Sequence, residues 1–302
     1  MPAPAIPPEM RARLRDLQLG SRRTAAGSGI GQHASRNRGA GLEFAQYRGY
    51  EPGDEPRRVD WKLYARSDRW FVRESERESP LTAWVLLDAT ASMRQSDHAQ
   101  PDWRKFDAAR LAAACVFEIA LRQGDAFGLA TIGAEPRVVP VATGVRQRDR
   151  CLLALGDTEP AGAWPATDAL RRLHERIAPQ ALVLVLSDFF DDAAVDLAWR
   201  LAATGRDTRA IQFLSHDERV FPFRGPHRFV DPESGAQRRV DAGAARRAFL
   251  QRFGAARTAL ASGFAARGIG FSTAWLDEPA DAPLWALFGR GAGLRHGAES
   301  PR

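Results

Sequence analysis

Residues 81–93 read LTAWVLLDATASM, an apolar run that stops on an aspartate and passes into small hydroxyl-bearing residues. Val85, Leu86 and Leu87 in succession suit a short strand covered on both faces, since a strand with one wet face would alternate apolar and polar positions. A second such run, ALVLVLSD at 181–188, also ends on an aspartate. Around these two, strand-like and helix-like segments alternate. Helices are expected at about 106–122, 147–155, 167–177, 193–204 and 243–267, and strands at AFGLATI, RVVPVA, RAIQFLS and FSTAWL. Apolar strands separated by helices imply an α/β fold: a doubly wound, largely parallel sheet of Rossmann type with helices on both faces.

Outside this frame the composition changes. Residues 39–80 are dense in aromatic and charged residues around the turn signal EPGDEP, with RWFVRESERE strand-like, and read as a small β-rich N-terminal subdomain. Residues 217–241, with three prolines and short paired apolar runs, read as a β insertion in the α/β domain of 81–280, open to joining that subdomain. Residues 281–302 read as a C-terminal tail. Residues 1–38 form a basic segment: within 11–38 seven arginines (Arg11, Arg13, Arg15, Arg22, Arg23, Arg36, Arg38) face one acid, Asp16, and account for the net charge of +6. A solvated, flexible segment is the plain reading, and contact with acidic protein, anionic lipid or nucleic acid is the alternative.

At 302 residues and 44% hydrophobic composition the chain can bury a sizeable core. No apolar run approaches the roughly 18 residues needed to span a bilayer, and the N-terminus lacks the pattern of a signal peptide, so a cytoplasmic protein is expected. Cys115 and Cys151, without CxxC spacing, read as reduced core residues. The six histidines form no zinc pattern, there is no GxSxG elbow, and GSGIG lacks the ending of a phosphate-binding loop. Lys62 and Lys105 are the chain's two lysines. These observations imply a protein that is not an enzyme and takes no small-molecule substrate.

In an open α/β sheet, ligands bind beyond the carboxyl ends of the strands, where strand order reverses. Asp88 and Asp188 would stand there together, and WPATDAL adds Thr167 at a helix start, where it could equally act as a cap. With Thr90 and Ser92 they make a cluster of five oxygen-bearing side chains, the donor type that hard cations select. DATAS, ATD and LSD together resemble the metal-ion-dependent adhesion site of von Willebrand factor A domains, whose first motif is Asp-x-Ser-x-Ser; here Thr90 replaces the first serine. The resemblance implies Mg2+ or Mn2+ held by the hydroxyls of Thr90, Ser92 and Thr167, with Asp88 and Asp188 supplying charge. One coordination position would then be left for a carboxylate from a partner protein.

The stretch GLEFAQYRGYEPGDEPRRVDWKLYARSDRWFVRESERE resembles the signature of the bacterial domain-of-unknown-function 58 family. Glu43, Arg48, Tyr50, Gly53, Asp54, Arg57, Asp60, Trp61, Arg66, Arg73, Glu74 and Glu78 fall on that pattern, and the later DERVFP and VDPESG are similar to its second stretch. The same residues have an architectural reading: a Pro52-Gly53 turn, ion pairs among Arg57, Asp60 and Arg66, and a core of Trp61, Trp70 and Phe71. The resemblance implies an adaptor or chaperone-like protein working with a MoxR-type AAA+ ATPase on a protein client. Two alternatives stand beside it. The metal site could be vestigial, with binding through the β subdomain and the basic segment, or that segment could bind nucleic acid.

Overall fold

The computed structural model describes residues 3–21, 44–50, 59–75 and 81–289. The chain divides into two compact units, residues 29–80 and the remainder on either side. Helix α1 (Pro8–Arg13) opens the main unit and runs into a 3-10 turn at Leu14–Asp16. The smaller unit contains β1 (Phe44–Gly49), α2 (Trp61–Ser67) and β2 (Phe71–Ser75), the two strands pairing antiparallel. The main unit resumes with β3 (Thr82–Asp88), β4 (Ser96–Asp97), β5 (Gln100–Arg104), α3 (Lys105–Gln123), β6 (Ala126–Ile132), β7 (Arg137–Ala142) and α4 (Val145–Gly156). It continues through α5 (Thr167–Arg176), β8 (Leu182–Ser187), α6 (Asp192–Ala203), β9 (Asp207–Leu214) and α7 (His216–Val220). β10 (Pro226–Val230), β11 (Gln237–Asp241), α8 (Ala242–Ala265), β12 (Gly270–Trp275) and α9 (Ala282–Phe288) complete it.

Six strands form one sheet in the order β12-β9-β8-β3-β6-β7, parallel except for β7, which runs against β6. This is the expected α/β class with a largely parallel sheet. Pro140 sits in the edge strand β7, where a missing N–H breaks no interior ladder. Period-two alternation splits the core into two layers. Ala83, Val85 and Leu87 of β3, with Leu182, Leu184 and Leu186 of β8, pack against α3, α4 and α9. Trp84 and Leu86, with Val183 and Val185, face α5, α6 and Phe264 of α8. Both cysteines are free and buried, and burial pushes each thiol up to about 12, so neither is a ready nucleophile. Among the described residues no helix is long and apolar enough to cross a membrane.

Three expectations are corrected. The start of the chain is not a free basic tail: Met10, Leu14, Leu17 and Leu19 are buried in the α3 layer, and Gln123 exchanges hydrogen bonds with the Leu19 backbone at 2.7 and 3.0 Å. The arginines drew attention to charge, while the apolar spacing of Met10, Leu14 and Leu17 decides the packing. Residues 22–38 lie outside the described residues. Residues 281–289 are likewise not tail, for Leu284 and Leu287 of α9 enter the same layer and buried Asp281 takes a two-pronged ion pair from Arg13 at 2.6 and 2.8 Å.

The third correction is to the insertion. Residues 217–220 belong to α7, capped by Ser215 and Glu218, and β10 and β11 pair with each other in a two-stranded sheet of the main unit. Phe221, Phe223, Phe229 and Phe249 stack at the base of this hairpin, with ring centroids 4.6–5.7 Å apart, and fix it to α8.

Candidate functional site

β6 and β7 lie on one side of β3, and β8, β9 and β12 on the other, so strand order reverses between β3 and β8. Leu87 pairs with Leu186, which sets Asp88 beside Ser187 one step further along. Ser187 Oγ donates to Asp88 Oδ2 at 2.6 Å, and Asp88 Oδ1 accepts from the Thr90 amide at 2.9 Å and the Thr90 hydroxyl at 2.7 Å. Ser92 Oγ lies 3.1 Å from Thr90 Oγ1. Backbone bonds hold the loop: Ala89 donates to Ile132 at 2.7 Å, Ala161 to Ala89 at 2.8 Å and Ala91 to Gly162 at 2.8 Å. Gly162, at φ +69°, supplies the left-handed turn that lets its carbonyl meet Ala91.

The structure thus brings Asp88, Thr90 and Ser92 together. Asp188, one residue past β8, has a different partner: Lys105, the first residue of α3, whose Nζ is 3.3 Å from Asp188 Oδ2. The same ammonium donates to Glu218 Oε1 at 2.7 Å and Gln95 Oε1 at 3.1 Å, lies 4.5 Å from the Phe190 ring centroid, and is fully buried. Burial alone would lower the lysine's pKa, but the charges of Glu218 and Asp188 outweigh it and hold it above its ordinary value. Thr167 begins α5, is exposed, and among the described residues no hydrogen bond ties it to the other four. Asp191 caps α6 by accepting from the Ala193 amide at 2.7 Å.

Burial, followed by the charge of Asp188, pushes the Asp88 carboxyl up to about 7 despite its three hydrogen-bond donors. A further carboxyl reaches the rim from the β10–β11 turn. Glu233 is half-buried, and the Thr90 and Ser92 side chains are among its electrostatic surroundings. Burial, with Asp191 and then Asp188 adding like charge, raises its pKa. Phe189, between Asp188 and Phe190, sits at φ 54°, a costly conformation for a bulky residue. Packing of its ring against Phe264 at 5.3 Å holds it there and leaves Phe190 52% exposed beside the rim.

Lys105, Ser187, Glu218 and Glu233 carry no motif that marks them as site residues in the sequence. One signal for Lys105 was present: in a chain with 43 lysines and arginines, only Lys62 and Lys105 are lysine. In the smaller unit, Asp60 is the N-cap of α2, accepting from the Lys62 and Leu63 amides at 2.9 and 3.0 Å. Trp61 and Trp70 are exposed by 54% and 46%, not core residues, and form an aromatic group with Tyr50 and Tyr64. Arg66 is exposed on α2. Glu43, Gly53, Asp54, Arg57 and Glu78 lie outside the described residues, as do the side chains of Arg48, Arg73 and Glu74.

Residues 46–259 match the family described as protein of unknown function DUF58. The chain belongs to the DUF58 family. Relatives of this DUF58 protein include uncharacterized proteins of Mycobacterium bovis and Mycobacterium tuberculosis, each 31% identical over 239 residues, 76% of this chain and 73% of theirs. Among solved structures, the conserved hypothetical protein BatB from Bacteroides thetaiotaomicron aligns with 70% of the DUF58 chain and 97% of its own, at 11% identity and a TM-score of 0.42. A von Willebrand factor type A structure from Catenulispora acidiphila aligns with 48% of the DUF58 chain and 34% of its own, at 18% identity and a TM-score of 0.36.

Whether a cation suits the rim can be asked of its donors. Among the described residues no group of three or more His, Cys, Asp or Glu is gathered closely enough to hold a metal ion. A cation here would therefore draw on hydroxyls as well as carboxylates. The Thr90 and Ser92 hydroxyls beside Asp88 meet that need, and Asp88, Asp188, Glu218 and Glu233 outnumber the ammonium of Lys105. Hard oxygen donors carrying excess negative charge fit magnesium or manganese.

Proposed function

We propose that this chain is a protein-interaction module that binds a carboxylate presented by a partner protein at the Asp88–Thr90–Ser92 rim, without catalysing a reaction. The observation that carries this reading is the unbalanced negative charge at the switch point of the sheet, set around two facing hydroxyls. Magnesium or manganese would be held by Asp88, Thr90 and Ser92, and would supply the positive charge that attracts the incoming carboxylate. Phe190, exposed beside the rim, would meet an apolar residue flanking that carboxylate. A MoxR-type AAA+ ATPase, with a protein client, is the partnership proposed for such an adaptor.

The test is calorimetric titration of manganese into the full chain and into Asp88→Asn at physiological salt. Saturable uptake by the wild type and none by the variant is the expected result. Equal uptake by both would remove the rim from consideration. The Lys105–Asp188 ion pair favours one other reading, a rim whose resident cation is the ammonium itself; absence of uptake in both proteins would support it.

A further inference from the structure

In the smaller unit, side chains that would ordinarily fill a core are turned outward. Trp61 and Trp70 are 54% and 46% exposed, and with Tyr50 and Tyr64 they form one group whose ring centroids lie 5.3–6.2 Å apart. The backbone fixes this group. Tyr50 donates to the Trp70 carbonyl at 3.0 Å beside the Gly49–Phe71 pair of β1 and β2, and Asp68, at φ 52°, ends α2 and turns the chain so that Trp70 meets Tyr64. A cleft lined by Gly49, Tyr50, Arg69, Trp70 and Phe71 opens there. Three exposed cations, Lys62, Arg66 and Arg69, stand close by in the chain. Lys62 and Arg66 are four residues apart on α2, a like-charge spacing that weakens a helix, and among the described residues no carboxylate pairs with any of the three. The Asp60 side chain is taken up in capping α2.

Two half-exposed indoles forgo much of the burial that makes tryptophan stabilising, and tryptophan, tyrosine and arginine are the residues that carry binding energy at protein interfaces. Unpaired positive charge around them selects a negatively charged partner. We propose that this face docks an acidic segment of a partner protein, with an apolar side chain of the segment seated in the Tyr50–Trp70 cleft and its carboxylates on Lys62, Arg66 and Arg69. The ring geometry disfavours nucleic acid as the occupant. The four rings meet at interplanar angles of 51–85°, tilted or edge to face, whereas a strand of bases stacks on open, flat ring faces. The surface belongs to the smaller unit and calls for no metal ion, so it goes beyond the reading of the Asp88 rim and stands or falls independently of it.

The experiment titrates the full chain, in chelator, into fluorescein-labelled probes followed by anisotropy. The first probe is a short peptide of glutamate, leucine and phenylalanine; the second carries lysine in place of glutamate; the third is glutamate and glycine alone; the fourth is an oligothymidylate. Wild type should bind the first saturably and the other three at least about tenfold more weakly, and raising salt from about 0.05 to 0.5 M should loosen the complex. Trp70→Ala should weaken binding of the first probe about thirtyfold, the loss expected at a binding hot spot. Lys62→Glu with Arg66→Glu should weaken it about tenfold and turn the preference towards the lysine peptide. That double variant alters only exposed charges, so it keeps the test decisive if Trp70→Ala fails to fold. Equal binding of the acidic and basic peptides, affinity unchanged in both variants, or no binding of the first probe would overturn the proposal. Tighter binding of the oligothymidylate would also overturn it and make the face a nucleic-acid platform.

Discussion

Replacing Asp88 by asparagine should stabilise the metal-free protein, and the gain should grow with pH. Burial and Asp188 hold this carboxyl at about 7 against an ordinary 3.8. Across that window the folded chain keeps a proton that the unfolded chain releases. Stability is therefore highest below the lower value and falls as pH rises towards the upper one. At about 1.4 kcal/mol per pKa unit, the ionised carboxylate costs the folded state up to roughly 4 kcal/mol at pH 8, and under about 1 kcal/mol near pH 4. Asparagine stands in for the protonated form: its carbonyl can accept from Thr90 and its amide can donate to Ser187 Oγ. Urea unfolding of both proteins in chelator at intervals from pH 5 to 8, followed by tryptophan fluorescence, measures the gap. It should widen steadily towards about 2–4 kcal/mol in favour of the variant, and saturating manganese should narrow it, since only the wild type gains from the cation. A gap that does not change with pH, or a variant less stable than wild type at pH 8, would refute this account of Asp88.

Lys105→Met leaves Asp188 and Glu218 buried without their counter-ion and should cost about 3–5 kcal/mol in urea melts, part of which Asp188→Asn in the same chain should restore. Leu14→Ala, at a fully buried position, should cost about 2–5 kcal/mol in the same assay, whereas a residue in a solvated tail would change stability by less than about 0.5 kcal/mol. Asp60→Ala removes the cap of α2 and should make the Lys62 and Leu63 amides exchange about fivefold faster, corresponding to about 1 kcal/mol of local stability.

Much of the sheet was legible because its strands carry their own evidence. β3 and β8 are continuous apolar runs, and each leads to an aspartate at the rim. That local pattern placed Asp88, Thr90 and Ser92 together, since their proximity follows from one loop. Contacts made across the chain left no such mark. Lys105 reaches Asp188 over 83 residues and Glu218 over 113, and a lone lysine beside an arginine reads as a solvated charge until the fold closes over it. Strand parity decides the neighbour: β8 residues alternate between layers, which puts Ser187, not Asp188, beside Asp88. The α7 cap was readable as Ser215-x-x-Glu218, the capping-box spacing, but prolines downstream drew the whole stretch into a β reading. Thr167 joins the cluster by motif order, and among the described residues no hydrogen bond ties this exposed first residue of α5 to the other four.

The ion pair between Arg13 and Asp281 spans 268 residues. Its two sides are synthesised 268 residues apart, and Met10, Leu14, Leu17 and Leu19 share a core layer with Leu284 and Leu287. At about 5–20 residues per second, the first helix therefore waits on the order of fifteen seconds to a minute before α9 exists to cover it. During that interval a segment both basic and apolar has no α9 to pack against. A chain cut short before Asp281 would lose the C-terminal side of that layer and leave the N-terminal side uncovered, so nascent or clipped forms should be recognised by quality control as unfinished even where the sheet itself is complete.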